Sequence, residues 1–350
     1  ILIYGDIMSR IHILAVLIIL VSASSSLVQA ENYQENQIRT WYVGSHNTEG
    51  PWDGSPIYPF LTIQTAIDHA NSNDIIMVLN GMYYENIVID KPLTIKNSIL
   101  HEPIIDGSYN QTIVSIQHPN VVFEGFIIRN SSGMKNSCAI KCNANNIIIS
   151  DCQIYRTRSG IRIENTKFNT ITDCFLHTNG EGIAAINSDQ LTIQSTDFTH
   201  NSLGINSDQS SNLTIKDCYA TVNGIGIFLN NSENVIITET ASFNNNDNQG
   251  GIFLNDCEQI QIKNSRIEHN GFGIKPFNCE DINIEGSTIQ HNTHVGIFAD
   301  RTTGLSINNC FFNKNFRYSI NTVNSIVSID QSNFISSLVG LYAEDSTIDA

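Results

Sequence analysis

Four groups of side chains in this 350-residue sequence have the types and spacing to do chemistry. Phe228, Phe253, Phe298 and Tyr342 fall in one slot of a recurring pattern, together with Arg162, Lys275, Ala184, Asn206 and Asn321. Flat rings repeated on one outward face stack on sugar faces and exclude water, so this slot is expected to be a carbohydrate platform flanked by the two cations. The plainer reading is that a tail or partner covers the rings. Asp151, Asp173, Asp217 and Glu239 share a second slot, Asp151 and Asp173 one repeat apart. Carboxylates about 5 Å apart share a proton or hold a cation, and Ca2+ fits outside the cell; the plainer reading is turn capping through backbone N–H groups. His269 and His291, one repeat apart, and His294 at the next turn offer three imidazoles, a ligand type for zinc or copper, or simply solvated turn histidines. Of eight cysteines, Cys152, Cys174, Cys218 and Cys310 occupy a slot that Ser and Thr also fill, so buried free thiols are expected. Bridges between Cys138 and Cys142 or between Cys152 and Cys174 are the alternative.

The element that must position these groups is a repeat. Gly followed by Ile or Leu recurs at 160, 182, 204, 226, 251, 273, 296 and 340, with Ser319-Ile320 taking one slot. A period in the low twenties means a solenoid. Apolar and polar residues alternate within each repeat, as in Leu213-Thr214-Ile215-Lys216-Asp217-Cys218, so the units are short strands with alternate residues inward. Three such segments per repeat predict an all-β, right-handed parallel β-helix with coils of about 22 residues. Stacked slots become ladders: an apolar one running Ile154, Leu176, Phe198, Ala220, Ile267, Ile289, Phe312, Phe334, and an Asn one running Asn179, Asn201, Asn223, Asn245, Asn270, Asn292, Asn315. Asn tolerates left-handed turns and bonds to its copy one coil away, which accounts for much of the excess of 43 Asn beside 55 Ile. The longer step at Asn244–Gln249 predicts a loop insertion.

The remaining segments read differently. Ile11–Val21 is a short apolar run after Arg10, ending in Val28-Gln29-Ala30: a secretory signal peptide is expected over residues 1–30, and no membrane span. Residues 31–118 should form an N-terminal cap and the first coils, with an amphipathic helix at Pro59–Ala70 covering the open core end, and 119–350 the coils proper. The chain stops where a new coil opens at Ser346–Ala350, so a C-terminal cap is expected beyond it. Lys+Arg 18 against Asp+Glu 34 gives net −16, which repels nucleic acid.

The run Trp41-Tyr42-Val43-Gly44, then Pro59-Phe60-Leu61-Thr62-Ile63-Gln64-Thr65-Ala66-Ile67, Gly81-Met82-Tyr83-Tyr84-Glu85-Asn86-Ile87 and Ile104-Ile105-Asp106-Gly107 resembles the entry of secreted right-handed β-helix proteins of the pectate-lyase-like superfamily. More narrowly, it resembles the NosD-like and carbohydrate-binding/sugar-hydrolysis group. The resemblance implies the fold and a polysaccharide partner; its known chemistries are lyase, hydrolase, esterase and epimerase. The polygalacturonase-like, pectin-methylesterase-like and epimerase-like signatures are missing from this sequence, and Asn187-Ser188-Asp189 and Asn206-Ser207-Asp208 are only partial matches. The expectation is therefore a secreted, periplasmic or surface-located monomer that binds polysaccharide, with a polysaccharide lyase or glycoside hydrolase, or a structural adhesion protein, as rival readings.

Overall fold

A computed structural model describes residues 37–47, 49–98, 102–246 and 250–350. The leader expected over 1–30 lies outside them, as do the last residues of the insertion expected at 244–249. The strands belong to one unit, Thr40–Ala350. They form three parallel sheets of 14, 12 and 12 strands, each visited once per coil. In one coil Ile148–Ser150 belongs to the first sheet, Gln153–Tyr155 to the second and Ser159–Glu164 to the third; the next coil repeats them at Thr170–Thr172, Phe175–His177 and Glu181–Ile186. The register is the one the ladders require, with Ile149 opposite Ile171 and Ile154 opposite Leu176. This places Cys152 and Cys174, between those pairs, on successive coils.

Inward positions fill the tube. Ile171, Ile193, Ile215, Ile237, Ile262 and Ile284 stack in the first sheet, and Ile183, Ile205, Ile227, Ile252 and Ile274 in the third, all essentially inaccessible. The second-sheet ladder is buried as far as Phe312; Phe334, stacked on Phe312 at 4.9 Å, is 37% exposed because no described coil packs beyond it.

Corners are set by hydrogen bonding. The Asn ladder is buried, and from Asn201 onward each side-chain oxygen accepts the backbone N–H of the preceding coil's Asn: Asn201 N donates to Asn223 Oδ1 at 2.9 Å, Asn223 N to Asn245 Oδ1 at 2.9 Å. Each amide also donates backwards, Asn223 Nδ2 to the Phe198 carbonyl at 3.1 Å. The left-handed residue is not the ladder Asn, as expected, but the one before it: Thr178, His200, Val222, Asn244, His269 and His291 all have φ of 54–59°. The Cys/Ser/Thr slot works similarly. Cys218 Sγ donates to the Lys216 carbonyl at 3.3 Å, as Thr196 Oγ1 does to Gln194 at 2.8 Å. All eight cysteines are buried free thiols; burial pushes Cys138 up to about 11 and Cys218 up to about 12, so these two are inert filler. The glycine slot has a steric cause: a Cβ on Gly182 or Gly204 would sit 2.4 Å from the carbonyl oxygen of the next coil's glycine.

Among the described residues a single helix, α1, Ile63–His69, closes the first coils, shorter than the expected Pro59–Ala70. Thr62 caps it by accepting from Thr65 N, Glu85 takes the Ile63 and Gln64 N–H groups at 2.8 and 3.0 Å, and Ile63, Ala66 and Ile67 face the core. The other entry residues are structural too. Tyr83 is buried with its hydroxyl on the Leu79 carbonyl at 2.8 Å. Asp106 accepts from Ser108 N, Arg129 Nε and Asn130 Nδ2 at 2.8–2.9 Å. Burial opposes its charge, but these bonds and the guanidinium outweigh it and hold the carboxyl below its usual range.

Candidate functional site

The third sheet carries the aromatic slot. Its strands of six residues present three outward positions each, and the central one aligns Arg162, Ala184, Asn206, Phe228, Phe253 and Lys275 in register, then Phe298, Asn321 and Tyr342. The rings lie less open than expected: Phe228, Phe253 and Phe298 are half-buried and only Tyr342, at 42%, is fully on the surface. They pack on one another, Phe228 on Phe253 with centroids 5.2 Å apart.

Sequence reasoning followed one outward position per strand and so missed the flanking column, where Phe272 and Tyr318 stand. Phe272 lies 5.8 Å from Phe298, and Tyr318 lies 5.3 Å from Tyr342. The Lys275 ammonium sits over both Phe253 (5.0 Å) and Phe272 (5.1 Å), so the two columns form one patch around a cation. Arg162 is on the same face but belongs to a different cluster. It is three coils from Phe228, about 14 Å at the usual strand spacing, and its Nε donates to Glu164 at 2.7 Å while Lys141 ion-pairs the same carboxylate at 3.1 Å. Burial works against that carboxylate, yet the two cations hold it below its usual range.

Asp151, Asp173, Asp217 and Glu239 do share a slot, the left-handed residue after each first-sheet strand, with φ of 51–55°. Asp151 and Asp173 line a shallow pocket of about 190 Å3 with Glu102. Ser195 separates Asp173 from Asp217, donating to Asp217 at 3.2 Å; Thr172 Oγ1 donates to Asp173 at 2.7 Å, and Lys216 pairs with Glu239 at 3.7 Å. Among the described residues these carboxylates form no group with three converging donors. The histidines divide. His269 and His291 stack in parallel at 4.9 Å, whereas His294 leaves them and stacks on Phe272 at 5.3 Å. Glu268, not singled out from sequence, takes its place.

A second cluster, also missed from sequence, stands on the second sheet. His177 lies against Tyr155 and Phe175, each 4.8 Å away, and Arg129 donates to the Tyr155 hydroxyl at 3.2 Å. Asp197 stands in register between the exposed rings of Phe175 and Tyr219. Burial, with Asp217 nearby, raises its carboxyl above the usual range. The signal was present, since Phe175, Asp197 and Tyr219 each precede a residue of the apolar ladder, Leu176, Phe198 and Ala220, but only the third strand's outward slot was followed in the sequence.

The family model of the right-handed beta helix region matches residues 112–252 and 203–349, and the chain belongs to that family. No curated protein matches the sequence. Among solved structures, the A-module of mannuronan C-5 epimerase AlgE4 from Azotobacter vinelandii superposes with a TM-score of 0.64 at 17% identity, over 82% of this chain and 95% of that one. The periplasmic alginate epimerase AlgG gives 0.54 at 13%, over 79% and 84%. XylC, solved in complex with xylose, gives 0.61 at 9%, over 87% and 86%. At these identities the likeness shows the fold alone.

Proposed function

We propose that this is an exported or surface protein that binds a polysaccharide along the third sheet, the chain stacking on Phe228, Phe253, Phe272 and Phe298 with Lys275 as its polar contact. The observation that carries the reading is the two-column aromatic patch around one lysine, half-buried rings turned away from the apolar interior of the tube. The neighbours support it: their names place carbohydrate on this fold, mannuronan and alginate for the epimerases and xylose for XylC. Among the described residues no helix is long and apolar enough to cross a membrane. Titration of the purified chain with neutral xylan and anionic alginate fragments tests the reading and separates the two charge classes. Two lost ring–sugar stacks at about 1 kcal/mol each predict that Phe228→Ala with Phe253→Ala weakens binding roughly 30-fold. Because the rings are half-buried, some loss of stability accompanies this, so circular dichroism must show the variant folded. Unchanged affinity in a folded variant removes this face as the site.

Asp197 favours a second reading, hydrolysis or elimination at the second sheet. An exposed carboxylate in register between two exposed rings, with Asp217 nearby, has the placement of an acid beside sugar subsites. Reducing-end or unsaturated-product assays on the same glycans, with Asp197→Asn as control, decide between binding and turnover.

A further inference from the structure

We propose that Glu268, His269 and His291 form a site for a divalent transition metal of the zinc class, at the turns that follow strands of the second sheet. Glu268 ends the strand Arg266–Glu268 of the second sheet, His269 is the left-handed turn residue after it, and His291 fills the same turn slot one coil on. Backbone bonds fix both turns, His269 N to the Gln290 carbonyl at 3.2 Å and His291 N to that of Asn313 at 2.9 Å. The three side chains bring one donor atom each to within 4.8 Å of one another, and the rings stand parallel at 4.9 Å. A metal bonded at about 2.0–2.2 Å to each draws those atoms together by roughly 1 Å, within the reach of side-chain rotation. Two further observations point to a ligand. Glu268 is buried, its carboxylate held by Arg266 and by Gln290 Nε2 at 2.6 Å, which leaves acceptor positions on both oxygens. His291 Nδ1 is inaccessible to solvent and has no hydrogen-bond partner, a position that costs free energy unless something occupies it.

Two imidazoles and one carboxylate suit zinc, nickel or copper and not the oxygen-seeking calcium. The cations nearby are Arg266, whose side chain is 64% exposed and can yield to a dication, and Lys314, which follows His291 in the turn slot and is exposed.

Titration of the intact chain with ZnCl2 at pH 7.5 by calorimetry, with bound metal counted by mass spectrometry, tests the site. One zinc per chain is expected. His269→Asn and His291→Asn keep the turn, since Asn244 already occupies that slot, and Glu268→Gln keeps the shape, since Gln290 follows it in register. Each should weaken zinc by more than about tenfold, the loss that even outer-sphere changes bring, while His294→Ala leaves it unchanged. Absence of saturable binding, or binding that survives both His→Asn changes in chains with unaltered circular dichroism, overturns the proposal.

Discussion

At the scale of single residues, the motif that resembles a family entry does mechanical work. Glu85 caps α1, Tyr83 ties the first turn, and Asp106 anchors three donors from two coils. Asp106→Ala should lower stability at pH 7 by about 2–3 kcal/mol, the scale for lost bonds to a charged group. The sign with pH follows from its depressed folded pKa. The stabilisation is present above the unfolded value of about 3.9 and is lost as pH falls through the lower folded value. The gap between wild type and variant in urea unfolding should therefore be full at pH 7 and 5 and shrink below pH 4; a gap that is constant with pH means the carboxylate charge is not what matters.

At the scale of the repeat, the Asn and Gly slots both contribute to the coil-to-coil contacts, and both were visible in the sequence as spacing. The Asn slot was legible because a buried amide can serve three partners at once. Asn223→Ala removes the acceptor for Asn201 N and the donor to the Phe198 carbonyl, and should cost about 2–3 kcal/mol in thermal or urea unfolding. The Gly slot was legible as a marker only; its reason, a backbone approach too close for a Cβ, appears once coils are stacked. Gly204→Ala should cost about 1–3 kcal/mol by overpacking. Gly340→Ala, whose Cβ would meet nothing nearer than Phe334 at 3.9 Å, should stay within about 0.5 kcal/mol. Equal effects at the two positions would rule out this cause.

At the scale of the whole molecule, the coils form a one-dimensional stack in which each depends on its neighbours. The helix and first strands close one end of it. Ile63, Ala66 and Ile67 cover the core, and Ile76 and Val78 continue it. Deleting residues 41–80 uncovers that end and leaves unpaired strand edges, so the shortened chain should aggregate. Size-exclusion chromatography with light scattering checks this, and a monomeric, cooperatively melting product would count against the capping role.

What the sequence determined by itself was everything local and periodic: the parallel β-helix, its 22-residue coil, the apolar and Asn ladders, the buried thiols, and the alignment of Phe228, Phe253 and Lys275. Each follows from residue type and spacing, because a solenoid maps sequence period directly onto neighbours in space. Only the tertiary structure decided which columns meet across strands and turns. Phe272 joins the aromatic patch from a column three residues away, Glu268 replaces His294 beside the paired histidines, and Arg162 is taken up by Glu164. The 22-residue period already paired His269 with His291, but which group completes their cluster was left to the structure, where three residues of turn carry His294 out onto Phe272.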